Sequence, residues 1–105
     1  MKYLILVYRD PPTAGPGHEA LQRELAGGGE LIAAEALADP SLTKRLHDGV
    51  VTDGPLPGVD SHLTSFYLVE CETIDRALGH ARQLPEAATG RVEVRPALCC
   101  SGLEM

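Results

Sequence analysis

The sequence predicts an α+β fold, a sheet of short strands with two helices on one face. Three observations carry this. Apolar residues alternate with period two in several short runs, two other runs follow helical spacing, and Gly, Pro and Asp gather at the joints. The order that results is β-α-β-β-β-β-α-β. The 105 residues suit one domain with a modest core.

Residues 2–9 form the first strand, with Leu4, Leu6 and Tyr8 on one face and Tyr3, Ile5 and Val7 on the other. A strand apolar on both faces belongs in the middle of a sheet. Asp10 to Gly17 is a Pro/Gly loop. A helix follows from about His18 to Ala26, with Leu21 and Leu25 on one side, and Gly27, Gly28 and Gly29 end it. Glu30 to Leu37 reads as a second strand and Leu42 to His47 as a third. Asp48-Gly49 is a hairpin turn that returns the chain through Val50 to Asp53.

Residues 54–63 form a second loop, and Thr64 to Cys71 is the most regular strand, with Phe66 and Leu68 opposite Tyr67 and Val69. The second helix runs from about Ile74 to Leu84, with Ile74, Ala77, Leu78 and Ala81 at helical spacing. Thr73 caps it and Pro85 stops it. Arg91 to Arg95 closes the sheet, with Val92 and Val94 inward.

Composition narrows the function. A net charge of -6 without a basic cluster argues against nucleic acid. The apolar run Tyr3 to Tyr8 is too short to span a membrane. Cys71, Cys99 and Cys100 make no disulfide framework, and they point to a reducing cytoplasm. Adjacent cysteines with no second pair do not suit a tetrahedral metal, so no metal site is expected. No phosphate loop or dinucleotide fingerprint is present, and no cofactor is expected.

Two helices cover one face of such a sheet. The first and fifth strands are nevertheless apolar on both faces. The simplest cover for the other face is a second copy of the chain, and polar residues inside the enclosed space become candidates for chemistry.

The run Val51-Thr52-Asp53-Gly54-Pro55, the opening strand from Met1 to Tyr8, and Ala34-Glu35-Ala36-Leu37 carry a resemblance. So do Phe66-Tyr67-Leu68-Val69 and Val92-Glu93-Val94-Arg95-Pro96. In this order they resemble the YCII-related family, in its branch with an Asp-Gly-Pro-Phe signature. Leu56 stands where the signature has Phe, and residues 57–65 lack the polar pattern usual there. The resemblance implies a ferredoxin-like α+β protomer that forms a dimeric α/β barrel. It also implies that acid-base enzymes, including a dehydrochlorinase with a His-Asp pair, are among the wider relatives.

His18 stands where a His opens the first helix in catalytic members of that wider group. A histidine can both take and give a proton, which suits acid-base work. Asp53 is the candidate to orient or charge it, although an Asp at such a corner also serves as a turn former. Glu35 shares strand parity with Leu31, Ala33 and Leu37, which predicts an inward carboxylate and a second acid-base group. Tyr8, His62 and Tyr67 are candidate substrate contacts, while His47 and His80 read as exposed.

The expected function is a cofactor-independent lyase, isomerase or cyclase acting on a small organic, aromatic or polyketide-like molecule. The competing reading is a non-catalytic ligand-binding or accessory protein. Expected partners are the small molecule and a second copy of the chain, with no nucleic acid or membrane.

Overall fold

The computed structural model describes residues 1–9, 18–58 and 61–98. The expected loop Asp10–Gly17 and the pair Cys99–Cys100 lie outside them. Six strands and two helices follow in the expected order: β1 (Lys2–Arg9), α1 (His18–Gly27), β2 (Leu31–Ala36), β3 (Lys44–His47), β4 (Val50–Asp53), β5 (His62–Glu70), α2 (Ile74–Ala81) and β6 (Val92–Pro96). Single 3-10 turns at Pro40–Leu42 and Pro85–Thr89 join them.

Four strands form one antiparallel sheet in the order β2-β5-β1-β6, and β3 and β4 form a separate hairpin. This order with two helices is consistent with a ferredoxin-like fold. β1 is central, as its two apolar faces require. Tyr3, Ile5 and Val7 of β1 join Tyr67 and Val69 of β5, Leu21 and Leu25 of α1, and Ala77 and Ala81 of α2 in one buried core. The helices therefore cover that face. Leu4, Leu6, Phe66 and Leu68 alternate with these residues and point the other way, only partly buried.

The glycine run closes α1 as expected. Gly29 takes a left-handed conformation with φ 74°. Its N–H donates to the Ala26 carbonyl at 3.2 Å, and the Glu30 N–H donates to the Leu25 carbonyl at 3.0 Å. These two bonds satisfy carbonyls that the last helical turn leaves open. The hairpin turn is also as expected, with positive φ at both Asp48 and Gly49.

Several boundaries move. Leu42 belongs to a 3-10 turn, so β3 starts two residues later, at Lys44. His62 and Leu63 belong to β5 rather than to a loop. α2 ends at Ala81, and Pro85 starts a 3-10 turn instead of merely stopping a helix. Proline suits that first position, where its missing N–H costs no hydrogen bond.

Candidate functional site

His18 opens α1. It lies three and seven residues before Leu21 and Leu25, both fully buried, so the three share the stripe that faces the sheet. That stripe sets the imidazole against Tyr67 of β5. His18 Nδ1 is 2.6 Å from the Tyr67 hydroxyl. Nε2 is 3.2 and 3.3 Å from the two carboxylate oxygens of Glu86.

Glu86 comes from the 3-10 turn after α2. Leu84, 2% exposed, anchors the start of that turn in the core. The Glu86 carbonyl accepts from Arg91 N–H at 3.1 Å and from the Thr89 hydroxyl at 3.0 Å. Gly90, at φ 74°, gives the turn its left-handed end. The backbone is thus fixed from both sides. The side chain is only 6% exposed and meets Arg9 Nη1 at 3.1 Å. A carboxylate this buried needs such partners to stay charged.

Burial first, and then the nearby negative charge of Glu86, push the Tyr67 hydroxyl up to about 12. Tyr67 therefore keeps its proton at neutral pH. With a neutral imidazole it donates to Nδ1, and Nε2–H donates to Glu86. The arrangement is a chain of Tyr67, His18, Glu86 and Arg9. Two residues before Tyr67 on the same strand face, the Ser65 hydroxyl is buried with no hydrogen-bond partner among the described residues.

His18 and Tyr67 come together as candidate residues. The carboxylate that meets them is Glu86, which the sequence reading did not single out. The sequence reading takes Pro85 as a helix stop and assigns no role to the residues just after it. The signal was present, since Glu86 sits between Leu84-Pro85 and Ala87-Ala88, an apolar setting that favours burial.

Asp53 lies elsewhere. Its side chain is 79% exposed and pairs with Lys44 across the β3–β4 hairpin. Glu35 does not point into the helix-covered core. A register shift between Leu31 and Ala33 adds a residue to β2, so Ala34 pairs with Tyr67 and Glu35 with Phe66. That inserted residue reverses the expected parity and leaves Glu35 exposed.

Tyr8 donates its hydroxyl to Glu93 Oε1 at 3.0 Å on the open sheet face. Burial, and then Glu93, raise its pKa. His62 lines a groove of about 400 Å³ with Leu37, Asp39, Leu42, Pro55 and Leu63. The groove adjoins the Asp53-Gly54-Pro55 corner. None of His18, Tyr67, Glu86 and Arg9 lines the groove. His47 is exposed as expected, but His80 is buried, at 5% exposure. Its position in α2 next to Ala81 puts it on the covered side.

The YCII-related domain family matches residues 1–99. The chain belongs to the YCII-related family. An uncharacterized protein of Rhizobium meliloti (strain 1021) is 30% identical over 113 aligned positions, covering 91% of each chain. No helix among the described residues is long and apolar enough to cross a membrane.

Proposed function

We propose that this YCII-related chain is an acid-base enzyme of the lyase, isomerase or cyclase kind, acting on a small organic molecule. His18 moves the proton, and Glu86 fixes the ring and balances its charge. The observation that supports the reading most is the imidazole held between Tyr67 and a buried carboxylate. A carboxylate on one ring nitrogen sets the tautomer and stabilises the imidazolium that forms when the ring takes a proton.

Both ring nitrogens are hydrogen-bonded in this state, so productive binding breaks one of the two bonds. The bond to the neutral Tyr67 hydroxyl is the weaker partner compared with the charged Glu86. Substrate therefore meets the ring at Nδ1. This chemistry calls on side chains alone. Asp53 and Glu35 are both exposed, and Glu35 shares the open side of the sheet with Phe66, away from His18.

A second copy is proposed over the open sheet face. Leu4, Leu6, Phe66 and Leu68 lie there only partly buried. The neighbouring hairpin and corner expose Leu46 at 74%, Val51 at 61% and Leu56 at 70%. Exposed apolar residues gathered in this way mark an interaction surface.

The groove favours a second reading, a ligand-binding protein without catalysis. It is large enough for a small organic molecule. Its lining includes His62 but not His18.

Proton exchange separates the two readings without knowledge of the substrate. The protein is incubated in D2O with a panel of lactones, 1,3-dicarbonyls and cyclic phenolic ketones, and C–H exchange is followed by NMR. Acid-base catalysis predicts exchange in some members of the panel. It also predicts a loss of about 100-fold or more in His18→Ala. Exchange that survives His18→Ala overturns His18 as the proton carrier, and a panel that binds without exchanging favours the binding reading.

A further inference from the structure

At the other end of β1 and β5, three side chains of different chemistry converge. Glu30 follows the α1 terminus, Cys71 follows β5, and His80 lies on α2. Cys71 Sγ is 3.4 Å from Glu30 Oε2, and His80 Nε2 is 3.0 Å from Glu30 Oε1. One donor atom from each residue lies within 4.8 Å of the other two. Cys71 and His80 are 4% and 5% exposed, so their positions are set by packing rather than by solvent.

We propose that Glu30, Cys71 and His80 form a binding site for a divalent transition metal of the zinc type, clipping the end of α1, the end of β5 and α2 together. One thiolate, one imidazole and one carboxylate make a three-ligand set that leaves the fourth tetrahedral position open. A second feature favours it. His80 Nδ1 is 3.1 Å from Glu24 Oε2. That carboxylate fixes the ring and turns Nε2 inward, as outer-sphere partners of metal-bound histidines do. Glu24 is itself held by Gln83 at 2.6 Å.

Arg76 competes for the same carboxylate. Its Nε and Nη2 reach the two oxygens of Glu30 at 3.1 and 3.0 Å. The guanidinium is 60% exposed, so it can swing into water when a cation takes its place. Metal binding displaces the thiol proton of Cys71 and any proton on His80 Nε2, and both leave to solvent. Glu30 and Cys71 then carry two negative charges against the two positive charges of the ion.

The test is a titration of chelator-treated protein with Co2+, followed by displacement with Zn2+. The expected result is one equivalent of cobalt with a thiolate-to-cobalt charge-transfer band that zinc removes. The band vanishes in Cys71→Ser. Affinity falls about tenfold or more in Glu24→Ala, which loses the outer-sphere partner. Arg76→Gln binds more tightly, because the competing cation is gone. Zinc raises the thermal midpoint of the wild type and leaves that of Cys71→Ser unchanged. Absence of the band at saturating cobalt overturns the site. Persistence of the band in Cys71→Ser overturns it too, by assigning the sulfur to Cys99 or Cys100. Neither outcome bears on His18.

Discussion

Tyr67 joins the core to the chemistry. It is 3% exposed, and its hydroxyl holds the His18 ring. Its pKa rises from 10.0 in the unfolded chain to about 12 in the fold. The folded state therefore keeps a proton that the unfolded state gives up. The associated stability is complete below about pH 10 and is lost as pH climbs towards 12, a change of roughly 2–3 kcal/mol. Urea unfolding of the wild type and of Tyr67→Phe between pH 8 and about 11.5 should show the wild type losing more stability as pH rises. Parallel curves would mean that Tyr67 ionises as freely in the fold as in the unfolded chain.

Single residues also show what the sequence conveyed about the site. The place of His18 was legible because it opens a helix three residues before Leu21 and seven before Leu25, on the stripe that faces the sheet. Glu86 was hidden because a five-residue 3-10 turn has no periodicity to read. Glu35 was misplaced by one inserted residue in β2, and short alternating runs do not announce a bulge. His80 was read as exposed, yet its two nitrogens meet Glu24 and Glu30, partners remote in sequence.

At the scale of elements, local signals worked where the chemistry is local. Thr73 caps α2 as its sequence suggests, with the hydroxyl accepting from Arg76 N–H at 3.3 Å. Thr73→Ala should cost about 1 kcal/mol, read as a lower denaturation midpoint with an unchanged slope. An unchanged midpoint would show that packing alone sets where the helix begins. The glycine end of α1 and the Asp48-Gly49 hairpin were legible for the same reason, since both depend on positive φ. The late start of β3 and the early end of α2 were not. Leu84 is buried and packing selects its backbone state, whereas the turn at the exposed Leu42 is set by Pro40 and by Asp39, whose carboxylate accepts from Ser41 N–H at 2.9 Å.

At the scale of the molecule, the central place of β1 followed from its being apolar on both faces. Such a strand must be central, and β5 and β6 flank it. The open face argues for a second copy. Light scattering coupled to size exclusion should give twice the 11.2 kDa of the chain. Phe66→Glu together with Leu68→Glu should shift it to the single mass while leaving the circular dichroism of the fold intact. A monomeric wild type would mean that this face stays open to solvent.

Proton transfer at this site requires His18 to be locked between Tyr67 and Glu86, and the most direct measurement is the long-range 15N–1H spectrum of its ring at about pH 9, where an ordinary imidazole is neutral. The predicted result is one fixed tautomer, with the proton on Nε2 facing Glu86 and Nδ1 accepting from Tyr67. In Glu86→Gln this preference should weaken. Two nitrogen signals averaged as in a freely turning, solvated ring would contradict the account and remove the basis for proton transfer at this site.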